Sequence, residues 1–529
     1  MRKQTKIAAV VSAAALLALG ASITSFAAAK GTWMMVDGEW YCYDKNGDAY
    51  ENTFCANNGK EYYVGDDGRL VRSDWVEYDG EYYFVNSSGA KIINDWRQTT
   101  PYDDEDAEQE WYYFQSTGKM ATNKKIVYKG KTFYFDADGK MLTGWVTADG
   151  TQVVNEENGV DKDHTFYCDE TGARIEKEWV LSTEPSTDDD DADADEYYYY
   201  MKSSGKVATG KQNNILGQTY LFDPEGRMLS GWVAYDAATK TYGEIDGETD
   251  TVVLGEDVNT VYYCSEPDDG HVKKNKWMKL WRPADTYDED EDVDKWWYWI
   301  EKDGKVFIPS STNAAAQGRR YTFGDGSLDA KSSYYIIKKK INSKDYFFNE
   351  NGEMLTRFIE VTKSNADPDP DLDLDLDLNP GMYYFGGTDD GSMKTGSQTI
   401  KDDNSDAYKF YFGTKTVDKT GERKGVGITG NKSNKLYYKG LLITAKDYRY
   451  QTATVNGHTF IVNQNGAIQH SQVEYKEDGD VLIDAKTDGD YKITFSTVDN
   501  QWKYSVVNAD ALKDNVESIN VTEVMSTID

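Results

Sequence analysis

The residues of this sequence that could do chemistry are aromatic, and they come in runs of two or three. The runs lie at 40–41, 62–63, 82–83, 111–113, 198–200, 297–299 and 383–384. Neighbouring side chains on a β-strand point to opposite faces, so one ring of each run can pack inward while the other stays available. A free ring face attracts cations and stacks on flat apolar groups. This pattern favours binding by ring faces.

Catalytic chemistry has no comparable pattern. His164, His271, His458 and His470 are scattered, and none lies near a nucleophile motif or at metal-ligand spacing. The sequence has no Gly-rich phosphate loop and no zinc signature, and no stretch outside its repeats is long enough for an ordinary catalytic domain. Paired carboxylates are abundant, but a glycosidase needs two carboxyl groups fixed in a cleft. We therefore expect no enzyme activity, no catalytic residue, no metal site and no cofactor.

Four acidic runs interrupt the aromatic pattern, at 101–110, 186–196, 285–295 and 367–380. Each lies between an opening aromatic residue and the next aromatic run, so it is a loop joining two strands. Ca²⁺ takes several oxygen ligands, but none of the runs has the central Gly and distal Glu of a calcium-binding loop. We expect solvated loops that bind Ca²⁺ weakly at most.

The elements that position these residues are recurring β-hairpins. FDADGKMLTGWV at 135–146 returns as FDPEGRMLSGWV at 222–233 and as FNENGEMLTRFI at 348–359. Each copy has an aromatic strand and then a four-residue turn that begins with Asp or Asn and ends with Gly, as a tight reversal requires. Aligned turn glycines recur as Gly47, Gly68, Gly89, Gly118, Gly139, Gly172, Gly205, Gly226, Gly270, Gly304, Gly352, Gly391 and Gly466. We predict an all-β fold, a β-hairpin repeat solenoid with long acidic inter-strand loops and a small C-terminal β-rich cap.

The composition suits such an array. Tyr, Trp and Phe make up 14% of the 529 residues and the mean hydropathy is −0.73, so aromatic faces between stacked hairpins must replace a large aliphatic core. The net charge is −34, and it becomes −37 without Arg2, Lys3 and Lys6 of the leader. A surface this acidic argues against a nucleic-acid partner.

Three segments follow along the chain. Residues 1–29 have a basic start, an apolar run too short and too rich in Ala for a membrane span, and small residues at a cleavage site, so they predict a signal peptide, secretion and no transmembrane anchor. Residues 30–470 form the hairpin array. Residues 471–529 lose the aromatic turn pattern and predict strands over 481–484, 491–496 and 502–507 with a short helix near 509–518, as a C-terminal cap or small module.

The cysteines leave their redox state open. Cys42 and Cys55 are close enough in the sequence for a disulfide, but spacing does not establish one. The alternative is that these two, Cys168 and Cys264 are small strand residues with free thiols.

Two stretches, WMMVDGEWYCYDKNG at 33–47 and WVEYDGEYYFVNSSG at 75–89, share one spacing. Each has Trp, four residues, Gly, one residue, an aromatic pair, a short run and a closing Gly. The pattern resembles the cell-wall-binding (choline-binding type) repeat, and is also similar to the glucan-binding repeats of glucosyltransferases and the C-terminal repeats of large clostridial toxins. The resemblance covers residues 33 to about 470 and implies a β-hairpin solenoid.

In choline-binding members of that family, the opening Trp, the aromatic residue that starts the next strand, an aromatic residue of the following repeat and often a Met enclose a quaternary ammonium ion by cation–π attraction. The resemblance implies five such pairs here: Trp33 with Trp40, Trp75 with Tyr82, Trp96 with Trp111, Trp179 with Tyr198, and Trp277 with Trp297. Met120 and Tyr134 would support the third pair. This sequence departs from the family where acidic runs stretch the last three pairs, and where Thr132, Thr165 and Thr219 replace the second aromatic residue.

Three functions are compatible with these observations. The first is a secreted, non-catalytic surface protein that binds cell-wall polymer (teichoic acid or peptidoglycan-linked glycan). The second is an adhesin that stacks on the sugar rings of a neutral polysaccharide, and the third is a structural spacer whose rings are all core. An acidic chain is repelled by an anionic wall, so wall binding needs a cationic substituent or bridging Ca²⁺, whereas a neutral glycan needs neither.

Overall fold

The computed structural model describes residues 28–147, 149–152, 165–183, 195–245, 260–283, 295–309, 316–321, 328–364, 379–402, 405–415, 422–486, 492–496, 501–505 and 517–526. The signal peptide predicted over 1–29 and three of the four acidic runs lie almost entirely outside these residues. The chain forms two compact units, 1–208 and 209–529. No helix among the described residues is long and apolar enough to cross a membrane.

The first unit is a succession of antiparallel hairpins after a short strand, Ala29–Lys30. Hairpins 1 to 7 pair Thr32–Val36 with Glu39–Tyr43, Thr53–Asn57 with Lys60–Val64, Asp74–Tyr78 with Glu81–Val85, Asp95–Thr99 with Glu110–Phe114, Lys124–Tyr128 with Lys131–Phe135, Gly144–Val146 with Phe166–Cys168, and Glu178–Ser182 with Tyr197–Met201.

The second unit continues the pattern with a less regular second half. Hairpins 8 to 13 pair Gly210–Ile215 with Gln218–Phe222, Trp232–Asp236 with Val261–Tyr263, Lys276–Leu280 with Trp296–Ile300, Leu328–Ile341 with Lys344–Phe348, Phe358–Ser364 with Gly381–Tyr384, and Gly396–Lys401 with Ala407–Phe412. The other elements are strands Thr241–Glu244, Ala316–Tyr321, Gly430–Lys432, Lys435–Tyr438, Leu441–Leu442, Tyr450–Val455, His458–Asn463, Glu474–Glu477, Asp480–Asp484, Lys492–Ser496 and Gln501–Ser505, and helix Val521–Ser526. The predicted all-β, hairpin-repeat solenoid fold is confirmed.

The turns form where the sequence places Asp or Asn before Gly. In hairpin 3 the side-chain Oδ1 of Asn86 accepts hydrogen bonds from the backbone N–H groups of Ser88 (2.9 Å) and Ala90 (3.1 Å), and Gly89 closes the turn at a φ of 80°. All thirteen aligned turn glycines have a positive φ, between 59° and 93°. Glycine adopts this conformation without a steric penalty, so the turn chemistry fixes where each hairpin ends.

Within each unit, one backbone hydrogen bond ties most of these hairpins to the one before it. In most cases the second residue after a turn glycine donates its N–H to the second residue of the preceding hairpin's return strand, as Met120 does to Tyr82 (2.8 Å) and Met141 to Trp111 (2.9 Å). Side chains fill the gap between such neighbours, and the largest fully buried ones are all tyrosines and phenylalanines. The core is therefore a series of small clusters between hairpins, as expected for a repeat array.

The C-terminal region has a larger mixed core. Ile519, Val521 and Met525 pack in one cluster with residues of hairpins 12 and 13, and the N–H of Ile519 donates to the carbonyl of Thr452 (2.7 Å). The strands predicted over 481–484, 491–496 and 502–507 are present within one or two residues. The helix predicted near 509–518 lies mostly outside the described residues, and the observed helix begins later, at Val521.

All four cysteines are buried, and none is in a disulfide. Cys42 and Cys55 lie in one small cluster with Val64, and their thiols hydrogen-bond to each other. Burial raises the pKa of both thiols, and it also raises the pKa of the Cys168 thiol to about 12.

Candidate ligand-binding sites

The opening residue of several hairpins is held edge-on between two rings. In hairpin 4 the centroid of Trp96 lies 5.1 Å from that of Tyr113 on its own return strand and 4.9 Å from that of Phe133 on the next hairpin. Trp75 repeats this contact with Phe84 (5.4 Å) and Tyr112 (4.9 Å). Offset and edge-to-face pairs of this kind stabilise a core by about 0.5–1.5 kcal/mol beyond burial. The opening ring is thus shared between the core and any ligand site.

Sequence reasoning missed two tryptophans with the same placement. Trp145 lies 4.7 Å from Tyr199 and Trp232 lies 5.0 Å from Tyr298, measured between ring centroids. Both belong to the Gly-Trp pair that ends the repeated motif, and that signal could have found them. Their hairpins carry Thr165 and Val261 where the second aromatic residue would stand, so these rings have no second wall beside them.

In three hairpins a threonine replaces the second aromatic residue of the family pattern, and this position is closed to a ligand. Thr132, Thr165 and Thr219 are all buried, and their carbonyl groups accept the backbone hydrogen bond from the following hairpin. These hairpins therefore offer no ring face at that position.

The open aromatic site lies at hairpin 4, and we call it the hairpin-4 site. Trp96 and Trp111 lie edge to face, with 6.4 Å between ring centroids and an interplanar angle of 81°. Phe133 and Met141 pack beside Trp96 in the cluster below. Trp111 keeps 42% of its surface exposed, so a ring face remains accessible above a buried aromatic floor.

Two residues assigned to this site from the sequence lie elsewhere. Met120 packs with Trp75, Tyr82 and Tyr112, because the residues after a turn cover the preceding hairpin and not their own. Tyr134 stacks on Phe166 (5.3 Å) and its hydroxyl accepts a hydrogen bond from Arg174 (2.9 Å). Phe133, the strand neighbour of Tyr134, points the other way and supplies the third ring.

Hairpin 3 has the same four positions, which we call the hairpin-3 site: Trp75, Tyr82, Tyr112 and Met120. Here the first acidic run contributes a further ring. Tyr102 stacks on Tyr82 with 3.9 Å between centroids and an angle of 22°, and it lies edge-on to Trp75 at 5.9 Å. The Tyr82 face is therefore covered by the protein itself.

Carboxylates surround this pair of tyrosines. Burial, together with the charges of Asp138, Asp103 and Asp136, raises the pKa of Tyr102 to about 12. Burial and the charges of Glu77 and Asp103 also raise the pKa of Tyr82. The local field is negative and favours a cation.

At hairpin 1, Trp33 lies edge-on to Tyr62 (5.6 Å). Its indole N–H is buried without a hydrogen-bond partner. Trp40 is partly exposed and stands across the strand pair from Met35, which is 57% exposed. Trp33, Met35 and Trp40 therefore lie on the same face of hairpin 1.

The remaining two predicted pairs also share a face of their hairpins. Trp179 packs on Tyr200 (5.2 Å), and Tyr198 stands across from the exposed Leu181.

In hairpin 10 the Trp297 side chain already has polar partners. Its indole N–H donates to Oδ1 of Asp389 (3.0 Å), and the Lys279 ammonium donates to the same oxygen (2.8 Å). Trp277 packs instead on Tyr346 (4.8 Å).

No group of three or more His, Cys, Asp or Glu side chains that could hold a metal ion occurs within the described part of the chain. The acidic runs at 186–196, 285–295 and 367–380 lie mostly beyond it.

Comparison with known families fits this geometry. A choline-binding repeat model matches residues 106–144, and a putative cell-wall-binding repeat model matches residues 339–354. The chain is 32% identical over 202 residues to Glucosyltransferase-S of Streptococcus mutans, which is 38% of this chain and 12% of that protein. It is 23% identical over 404 residues to Glucosyltransferase-I of Streptococcus downei, which is 74% of this chain and 21% of that protein.

Among solved structures, the choline-binding domain of CbpL from Streptococcus pneumoniae is 25% identical, with 37% of this chain and 96% of that chain covered at a TM-score of 0.17. The family models and the glucosyltransferase relatives support the predicted resemblance to choline-binding and glucan-binding repeats, and the chain spans at most about a fifth of the length of the two glucosyltransferases.

Proposed function

We propose that this chain is an extracellular, non-catalytic surface protein that attaches to cell-wall polymer through aromatic sites between consecutive hairpins. The observation that carries the proposal is the exposed Trp111 ring above Trp96, Phe133 and Met141. The group it fits is a quaternary ammonium substituent on a wall polymer such as a teichoic acid or peptidoglycan-linked glycan.

Electrostatics support a cationic group. The net charge of −34 repels an anionic polymer backbone, so attachment needs a favourable local contact that overcomes this repulsion. Cation–π attraction to several rings supplies about 0.5–2 kcal/mol per ring, depending on how far the pocket excludes water. The match to a choline-binding repeat model over residues 106–144 covers the return strand that bears Trp111.

A polar cluster after the return strand of hairpin 9 resembles a hydrolase triad in composition, but its geometry supports a non-catalytic function. Lys273 Nζ lies 2.7 Å from Ser265 Oγ, and His271 Nδ1 lies 2.7 Å from Asp269 Oδ2. However, the Ser265 hydroxyl donates its proton to Asp269 (2.7 Å), so it is not aligned to be activated by a base. The cluster closes an extended turn.

Binding of a neutral glucan is the second candidate. The two glucosyltransferase relatives favour it, and so does hairpin 10, where Trp297 lies beside a carboxylate and an ammonium group. A ring for stacking with an adjacent acceptor and donor is suited to a sugar.

The test is calorimetric titration of the full chain with choline chloride and, separately, with a soluble neutral glucan. We expect Trp111→Ala to remove or weaken one choline site by on the order of 1–3 kcal/mol. Val127→Ala is the matched control. Val127 is 66% exposed, and it lies on the face of hairpin 5 opposite to Phe133, the ring that this hairpin contributes to the hairpin-4 site. Choline binding that is equal in both variants would remove hairpin 4 from the proposal, and binding of glucan alone would favour the second candidate.

A further inference from the structure

The first acidic run reaches back onto the preceding hairpin. Tyr102 stacks on Tyr82 at 3.9 Å between ring centroids, and the indole N–H of Trp75 donates to the carbonyl of Thr100 (2.9 Å). The loop is thus held at two points on hairpin 3, by one ring stack and one hydrogen bond.

The anchoring hydrogen bond recurs before two further acidic runs, those at 186–196 and 285–295. The Trp145 indole donates to Ser182 Oγ (3.1 Å), and the Trp232 indole donates to the Trp281 carbonyl (3.1 Å). Both acceptors stand at the start of a segment that leads into an acidic run. Of these three anchors, the one on hairpin 3 lies beside a second aromatic residue, Tyr82, whereas the hairpins of Trp145 and Trp232 carry Thr165 and Val261 at that position.

The hairpin-3 and hairpin-4 sites differ mainly in this loop. They share an opening Trp, a second aromatic residue, a ring from the next hairpin and a Met. The second ring of the hairpin-4 site, Trp111, is exposed, whereas the face of Tyr82 is covered by Tyr102. A stacking distance of 3.9 Å leaves no room for a ligand between the two tyrosine rings.

We propose that Tyr102 is an internal competitor, and that the loop 100–109 closes the hairpin-3 site until Tyr102 leaves it. This inference rests on the proposed function, because it takes a quaternary ammonium ion as the ligand of the site. The Tyr102 ring occupies the place of that ligand, so loop release and cation binding are coupled. A bound cation then stabilises the released loop by mass action.

Charge provides the force that opposes closure. Asp103, Asp104 and Asp106 lie on the exposed part of the loop, and Asp136 and Asp138 of the hairpin-5 turn lie close enough to raise the pKa of Tyr102. Like charges around the closed loop favour its release, and salt weakens that repulsion. Closure therefore depends on the ring stack and on the hydrogen bond from Trp75 to Thr100, and a single substitution of Tyr102 removes the stack.

The experiment titrates the full chain with tetramethylammonium chloride by calorimetry in three forms: unchanged, Tyr102→Ala and Tyr102→Phe. We expect Tyr102→Ala to gain one site per chain, or to bind at least tenfold more tightly at one site. Tyr102→Phe keeps the stacking ring and should behave as the unchanged chain. Measurable binding that is equal in affinity and stoichiometry in all three forms would overturn the gate.

A second readout does not depend on any ligand. Nitration of Tyr82, located by peptide mass spectrometry, should rise in Tyr102→Ala and stay low in Tyr102→Phe. If nitration rises while no form binds the cation, the loop covers the site but the proposed function fails. If nitration of Tyr82 is unchanged, the loop does not cover this ring and the gate is wrong whatever the cation does.

Discussion

Separate replacement of Trp145 and Trp111 by alanine distinguishes rings that build the fold from rings that bind ligand. Trp145 is 6% exposed, its ring lies 4.7 Å from that of Tyr199, and its indole donates to Ser182. Trp111 is 42% exposed. Trp145 therefore contributes the stabilisation of a fully buried ring, and Trp111 contributes only part of it.

The expected losses follow from burial. Truncating a buried aromatic residue to Ala costs about 3–5 kcal/mol, and we expect a loss in this range for Trp145→Ala. Scaling by the buried share of the Trp111 side chain gives about 2 kcal/mol for Trp111→Ala. Because neighbouring repeats stabilise each other locally, the Trp145→Ala loss should appear as an early transition and not as a shift of the whole unfolding curve.

The assay is urea unfolding of the full chain followed by circular dichroism, with choline binding measured without urea. We expect Trp145→Ala to lose stability more than Trp111→Ala, and Trp111→Ala to lose more binding than Trp145→Ala at a temperature where both are folded. A Trp111→Ala chain as unstable as Trp145→Ala, with unchanged binding, would refute the assignment. It would place Trp111 in the core and favour the spacer hypothesis.

Three further outcomes are expected. Tyr112→Phe should leave stability unchanged or raise it by about 1 kcal/mol in urea unfolding, because the buried Tyr112 hydroxyl has no hydrogen-bond partner; a loss above that size would reveal a hidden partner. The Cys168 and Cys264 thiols should resist iodoacetamide at pH 8 until urea is added, because burial raises their pKa; rapid native labelling would contradict this. Burial raises the pKa of Glu422, but hydrogen bonds from Lys432 and Thr414 outweigh it and hold the pKa below its usual 4.5. The stabilisation is then present above about pH 4.5 and lost as the pH falls through the lower folded-state value; the midpoint of urea unfolding should fall there, and Glu422→Gln should flatten the dependence.

Local chemistry made much of the fold predictable. An Asp or Asn that accepts backbone hydrogen bonds and a Gly with positive φ fix each turn, so the hairpins could be placed from the sequence. The family resemblance predicted the pairing of Trp96 with Trp111 although an acidic run stretches the spacing between them, and both lie on one face of a strand pair.

What could not be predicted depends on which hairpin a side chain reaches. The sequence places Met120 with hairpin 4, whose turn it follows. In the structure its backbone N–H bonds to hairpin 3, and its side chain packs there as well. Tyr134 is the third ring of the hairpin-4 site that the family resemblance implies, but Phe133 supplies that ring. The two are neighbours on one strand, so their side chains point to opposite faces. Tyr102 lies in an acidic run whose composition indicates only a solvated loop, and its stacking on Tyr82 is a tertiary contact with no local signal.

We propose that ring faces between hairpins hold this protein on cell-wall polymer by binding a quaternary ammonium group. The most direct test of this claim is retention of the full chain on purified walls that carry choline, followed by elution with free choline chloride and, in parallel, with sodium chloride of equal ionic strength. We predict release by choline and little release by sodium chloride. Equal release by both salts, or retention that only a neutral glucan reverses, would contradict the claim.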